Sequence, residues 1–174
     1  MKFNSAIVQT RVPSPLGSIA IAATAEGLTG LWFTTQQRFL PAELTGPGAW
    51  LDDAGHPVLQ QAGRQLAEYF AGQRCRFDLP LDLCCGTDFQ KSVWQALLGI
   101  GHGEVTSYIE VSRRIGHPSA VRAVGSAIGR NPVSIIVPCH RVMASSGALT
   151  GYAGGLDRKI ALLQLEGALA EDLA

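Results

Sequence analysis

Cys139 and His140 stand side by side in the stretch NPVSIIVPCHRV, residues 131–142, behind Pro138 and ahead of Arg141. A thiol is a nucleophile only as its thiolate, so a neighbouring base or cation must lower its pKa. His140 is the nearest candidate. The same pair also reads as metal ligands or as core residues, because buried free cysteines are commonly inert. Adjacent side chains in an extended segment point to opposite faces, which argues against direct contact. Either the chain turns at Cys139, or a water carries the proton. Glu166 is the third candidate. An acid in the last turn of a helix faces the negative end of the dipole. That placement makes sense if Glu166 accepts a hydrogen bond from His140 and fixes its tautomer, as the third member of a triad does. A solvated surface glutamate is the alternative.

The elements that must position these groups can be sketched from patterning. VSIIV, residues 133–137, reads as a buried strand that Pro138 ends, leaving Cys139 at its tip. LDRKIALLQLEG reads as a helix with Leu156, Ile160 and Leu163 on one face and Gly167 as its stop. Thr87 and Gln90 form a capping-box pattern before a helix marked by Phe89, Val93 and Leu97. Val111 and Ile115, then HPSA, then Val121, Val124 and Ile128 outline a helix-turn-helix. Its second helix is unusually small-sided, with Ala123, Gly125, Ser126, Ala127 and Gly129 between Arg122 and Arg130. A major-groove reader carries longer polar side chains. A smooth helix suits a backbone or a narrow groove, and equally suits close packing by another helix.

The first half reads as strands around one helix. GSIAIAATAEG and LTGLWFTT suggest a hairpin, and RFDLPLDL an edge strand, where Pro80 is tolerated. Val58, Ala62, Leu66, Tyr69 and Phe70 recur at helical spacing before Gly72. No catalytic constellation occurs there.

A chain of 174 residues, 47% hydrophobic, can bury a real core in one domain or two small ones. Net charge is zero, so no global field points to nucleic acid or a membrane. The balance is uneven, however. Residues 101–160 carry Arg113, Arg114, Arg122, Arg130, Arg141, Arg158 and Lys159 against Glu104, Glu110 and Asp157, and the acidic end follows. The N-terminal MKFNSAIVQTRVPS lacks the apolar core of a secretory signal. Cys75, Cys84, Cys85 and Cys139 suit a reducing compartment better than a disulfide framework, and no ligand spacing supplies zinc. The expectation is a soluble cytoplasmic protein without metal or cofactor.

Taken together, NPVSIIVPCHRV, SSGALTGYAGGLDRK and LEG closely resemble the active-site region of the O6-alkylguanine-DNA alkyltransferases, the methylated-DNA–protein-cysteine methyltransferases. GTDFQKSVWQALLGI, GEVTSY and AVRAVGSAIGRNP match the preceding family segments in order, so the similarity spans roughly residues 86 to 167. SPLGSIAIAATAEGLTGLWF resembles the smaller α/β domain of that family. The implied fold class is α/β: a ribonuclease-H-like domain over residues 1–85, then a mostly helical domain with a helix-turn-helix over 86–174.

The resemblance implies DNA repair by direct reversal, in which an alkyl group leaves O6 of guanine, and O4 of thymine, for an internal cysteine in one turnover. Cys139 would be the acceptor, His140 the base through a water, Glu166 its orienter and Asn131 the tie between the DNA-binding helix and the active-site segment. Tyr108 would help flip the nucleotide and protonate the leaving guanine. Arg122 would fill the stack, with Ala123, Ser126, Ala127 and Arg130 along the minor groove. Tyr152 would wall the pocket, carbonyls of Cys139 and Val142 would read the guanine amino group, and Lys159 would add a supporting charge. Some relatives carry serine where Ala153 stands, so a hydrogen bond there must come from the backbone. The implied partner is double-stranded DNA, met by a monomer whose clustering along DNA is open, with no membrane. Two rivals remain. A non-transferring alkylguanine sensor would lack the cysteine, and a cysteine hydrolase would leave Arg122 and Tyr108 without purpose.

Overall fold

The computed structural model describes residues 6–35 and 37–170. The first five residues, and Glu171 and Asp172 of the acidic end, lie outside them. Two compact units divide the chain, residues 1–87 and 88–174.

In the first unit β1 (Val8–Val12), β2 (Ile19–Ala23) and β3 (Leu28–Phe33) are joined by the short β4 (Leu51–Asp52) in a sheet ordered β3-β2-β1-β4. The expected hairpin is β2–β3, antiparallel, with every residue of both strands buried. β4 pairs parallel to β1, which makes the sheet mixed. Helix α1 (Pro57–Phe70) buries Leu59, Ala62, Leu66 and Tyr69, and Gly72 at φ +70° ends it as a left-handed stop.

RFDLPLDL does not form the expected edge strand. It makes one isolated parallel bridge, Leu28 to Leu81. The Gln65 side-chain amide takes both backbone groups of Asp78, accepting from its N–H and donating to its carbonyl at 2.8 Å each. A ladder there has lost its donor and acceptor to a helix side chain, and Pro80 has no N–H to offer. At the hairpin turn a Cβ on Gly27 would sit 2.5 Å from the Pro80 carbonyl oxygen, so this close approach needs glycine.

The second unit is mostly helical: α2 (Asp88–Leu97), α3 (Tyr108–Arg114), α4 (Val121–Gly129) and α5 (Leu156–Leu165). Two short strands, β5 (Thr106–Ser107) and β6 (Val142–Met143), pair parallel. The helix-turn-helix is α3–α4. Ser107 caps α3 by accepting from the Glu110 N–H at 3.1 Å. Trp94 of α2 is fully buried and donates its indole N–H to the Ala127 carbonyl at 2.9 Å, fastening α4 to the core.

VSIIV is buried as expected but is not a strand. It folds into tight turns, with Ile136 N–H on the Ser134 carbonyl and Val137 N–H on the Val133 carbonyl. Ile135 sits at φ +71°, an unusual conformation for a β-branched residue. The apolar run signals burial; it does not specify extension. In α5 the inward face is also rotated from the expected one. Leu156 is 44% exposed, whereas Lys159, Leu162 and Leu163 are buried, because the Lys159 ammonium finds carbonyl partners inside. Among the described residues no helix is long and apolar enough to cross a membrane.

Replacing Trp94 with Phe removes the donor to the buried Ala127 carbonyl and leaves that group only the Arg130 N–H. Chemical denaturation is expected to show a loss of about 0.5–1.5 kcal/mol; unchanged stability would mean that the indole bond does not hold α4.

Candidate active site

The turn at Cys139 resolves the geometric objection. Cys139–Arg141 is one turn of 3-10 helix, set by the Arg141 N–H on the Pro138 carbonyl at 3.1 Å, so the cysteine and histidine are not splayed as on a strand. Both are buried, Cys139 to 4% exposure and His140 completely.

Asn131 holds this segment from within. Its amide donates to the Val137 carbonyl at 2.7 Å and to the Cys139 sulfur at 3.0 Å, and its side-chain oxygen accepts from the Val133 N–H at 3.0 Å. Because Asn131 lies just past α4, after the capping residue Arg130, it ties that helix to the cysteine.

Glu166 is not a surface residue. It caps the C-terminal end of α5 with its side chain fully buried, and its Oε1 lies 2.9 Å from His140 Nε2. A carboxylate can only accept, so His140 carries its proton on Nε2 and donates it to Glu166. The other ring nitrogen, Nδ1, is buried without a hydrogen-bond partner among the described residues. It is left as the basic lone pair. Arg141, which patterning alone does not single out, completes the cluster. Its Nε donates to Glu166 Oε2 and its Nη2 to Oε1, both at 2.8 Å, while Nη1 reaches the Ile100 carbonyl. The signal was present in the sequence only as a cation next to the His140–Glu166 pair.

Electrostatics leave the resting site uncharged at sulfur. Burial pushes the Cys139 thiol up, and the Asn131 hydrogen bond and the Lys159 charge offset this only in part. Burial also pulls His140 below its ordinary value, against the raising effect of Glu166 and with Arg141 and Lys159 lowering it further. Lys159 is itself pulled down to about 8 by desolvation. Its ammonium donates to the Val142 carbonyl and, at 2.9 Å, to the Thr150 carbonyl.

The remaining candidates fall around this centre. Parallel pairing of Ser107 with Met143 places Tyr108, the next residue, beside the strand that follows the cysteine turn. The Tyr108 hydroxyl donates weakly to the Thr150 carbonyl at 3.4 Å, the same oxygen that Lys159 holds. Tyr152 and Ala153 are each 8% exposed, and the Tyr152 ring meets the His140 ring edge-on with centroids 6.5 Å apart. The Tyr152 phenol is pushed well up by burial, then by the facing Cys139, with the nearby Ser134 hydroxyl only partly opposing; neither hydroxyl completes a well-formed hydrogen bond.

On α4, Arg122, Ala123, Ser126 and Arg130 are exposed on one face. Ala127 departs from the expectation: it is 2% exposed and faces the core, because its position is where the Trp94 indole docks. A Cβ on Gly125 would meet the Tyr108 ring at 3.7 Å, ordinary van der Waals contact, so α4 passes close to Tyr108 without requiring glycine there. Arg113 and Arg114 pair with Glu110 at 3.7 and 3.5 Å, so the basic excess of this unit is partly compensated. Among the described residues no group of three or more His, Cys, Asp or Glu side chains gathers as a metal site would.

Asn131→Ala removes three buried hydrogen bonds that hold the cysteine turn. It is expected to lower stability by about 1–3 kcal/mol for each group left unsatisfied, read as a fall in melting temperature. A variant as stable as the parent would show that the turn holds without Asn131.

Comparison with known proteins agrees over both units. Residues 7–83 match the 6-O-methylguanine DNA methyltransferase ribonuclease-like domain, and residues 88–168 match the DNA binding domain of the same family. A methylated-DNA–protein-cysteine methyltransferase of Mycobacterium leprae is 48% identical over 153 residues, covering 88% of each chain. One from Methanosarcina acetivorans is 47% identical over 154 residues, covering 88% of this chain and 94% of its own. The crystal structure of Mycobacterium tuberculosis OGT in complex with DNA superposes with a TM-score of 0.81 at 47% identity, over 91% of this chain and 92% of that one. A sheet unit and a helical unit that each match, in order, with a Cys-His turn backed by a buried glutamate, place this chain in the methylated-DNA–protein-cysteine methyltransferase family.

Proposed function

We propose that Cys139 accepts the alkyl group of O6-alkylguanine, and of O4-alkylthymine, from double-stranded DNA. The protein repairs DNA by alkyl transfer to a cysteine, once per molecule. The observation that carries the assignment of residues is the chain of contacts from Cys139 through its 3-10 turn to His140 and Glu166, with Nδ1 of His140 open.

In this reading a water passes the Cys139 proton to His140 Nδ1, while Glu166 holds Nε2–H and so keeps the tautomer. The resting thiol is raised, so the thiolate forms as the reaction begins rather than standing ready. Sulfur then bonds to the alkyl carbon as the carbon–O6 bond breaks. Tyr108 gives its phenolic proton to the departing guanine and regains one from solvent, and backbone N–H groups of the 151–155 segment face O6. The Val142 carbonyl already accepts from Lys159, which leaves its second lone pair for the guanine amino group, beside the Cys139 carbonyl. Tyr152 and Ala153 form the apolar wall.

DNA is the partner, approached by α4. A smooth face of Ala123 and Ser126 lets the helix lie close in the minor groove, with Arg130 at the backbone and Arg122 filling the gap of a flipped base. Ala127 takes no part through its side chain. A monomer suffices for this mechanism, since every group in it comes from one chain.

Two measurements test this reading. Intact-protein mass spectrometry after mixing with duplex DNA carrying one O6-methylguanine should show a single added methyl on Cys139, saturating at one per protein. Cys139→Ser should bind the duplex and gain nothing; transfer by that variant would remove Cys139 from its role. The second is the pH dependence of the single-turnover rate. Imidazolium cannot accept a proton, and the His140 pKa lies below its ordinary 6.5. The rate should therefore hold as pH falls through about 6.5 and drop only at lower pH. A drop centred above that value would contradict His140 as the base.

A further inference from the structure

The role of Arg141 goes beyond the proton path from Cys139 to Glu166, and rests on that reading. We infer that Arg141 is a positioning residue, whose guanidinium holds the Glu166 carboxylate in the one orientation from which it can order His140.

A glutamate side chain has three torsions, and hydrogen bonding to a single imidazole leaves the carboxyl free to rotate about its last one. Arg141 removes that freedom. Nε on Oε2 and Nη2 on Oε1, both 2.8 Å, form a two-point fork that fixes the carboxylate plane. Oε1 is then shared between Arg141 Nη2 and His140 Nε2. The Gly103 N–H adds a long contact to Oε2 at 3.5 Å. The guanidinium is itself fixed from a third side, where Nη1 donates to the Ile100 carbonyl at the end of the turn after α2. The cysteine turn, the end of α5 and the 100–103 loop thus meet on one buried cation.

Lysine could not reproduce this, because a single ammonium lacks a planar fork. Arg141 also has no path to DNA or to the alkyl group through solvent, being 6% exposed, with each of its three guanidinium nitrogens donating to a protein acceptor. Its effect on the reaction has to pass through Glu166. The charged or titratable groups that face His140 are Glu166 and Lys159 from α5, Arg141 and Cys139 from its own turn, and Tyr152 from the 144–155 segment. Arg141 is the member that touches Glu166 on both oxygens.

The test uses the full chain as wild type, Arg141→Met, Arg141→Lys, Glu166→Gln and the double variant Arg141→Met/Glu166→Gln. Single-turnover methyl transfer from an O6-methylguanine duplex is measured at saturating protein. The 15N imidazole spectrum of His140 reads its tautomer. Arg141→Met should slow transfer about tenfold or more, as loss of an orienting outer partner does elsewhere, and should replace the fixed Nε2–H tautomer with an averaged one. Arg141→Lys should recover part of the rate and part of the tautomer signal.

The double variant decides the question even if Arg141→Met, with its unpaired buried carboxylate, fails to fold. It removes both charges together, and it should transfer as fast as Glu166→Gln alone, to within about twofold. Slowing that multiplies with that of Glu166→Gln, or an Arg141→Met protein that keeps the Nε2–H tautomer, would overturn the inference. Wild type that leaves Cys139 unmethylated would instead overturn the underlying reading of the site.

Discussion

A carboxylate with no route to solvent must be answered by protein donors, and at Glu166 the arginine fork, the imidazole N–H and a backbone N–H converge on its two oxygens. Leaving any of these out would strand a buried charge, so the groups that supply them have to be delivered together. That demand sets much of the second unit. The end of α5 must meet the Cys-His-Arg turn, and the loop after α2 must close over both. The helix-turn-helix begins on the far side of that loop, through β5 and Tyr108, so the α3–α4 pair is built outward from the same buried pair.

The cost of this arrangement is a site poised rather than active. Burial raises the thiol and lowers the imidazole, so neither carries charge at rest. A free thiolate would be alkylated wherever an electrophile reached it; in the proposed mechanism a thiol relying on a general base reacts where the base, the sulfur and the alkyl carbon are aligned. Ile135 in its left-handed conformation and Asn131, with three hydrogen bonds into the segment, show how tightly the turn is constrained. In the first unit, by contrast, the described residues are taken up with sheet and helix packing, and its cysteines stand away from any such constellation.

Much of this was legible in the residues. The hairpin β2–β3, helix α1 with its Gly72 stop, and the α3–α4 pair all follow local periodicity and turn chemistry, and the structure has them. The departures share one cause. VSIIV was read as a strand because β-branched residues are apolar, yet the Asn131 side chain takes the Val133 N–H and the Val137 carbonyl while the segment folds into turns. RFDLPLDL was read as an edge strand, yet Gln65 of α1 takes the hydrogen bonds of Asp78. Ala127 was read as a groove contact, yet the Trp94 indole reaches its carbonyl from α2. In each case a side chain outside the segment claimed a backbone group that local pattern left unassigned.

The sequence by itself determined the identity of the chemistry. A cysteine followed by histidine and arginine, the small-sided helix between two arginines and a glutamate at the close of the last helix carry the family resemblance without any coordinates. The tertiary structure alone decided which side chains are inside and what they hold. Glu166 reads as a solvated surface acid from its own segment, and Arg141 as one more surface cation. They become a buried clamp because the energy of a charge depends on what surrounds it in space, and the residues around each of them come from other parts of the chain.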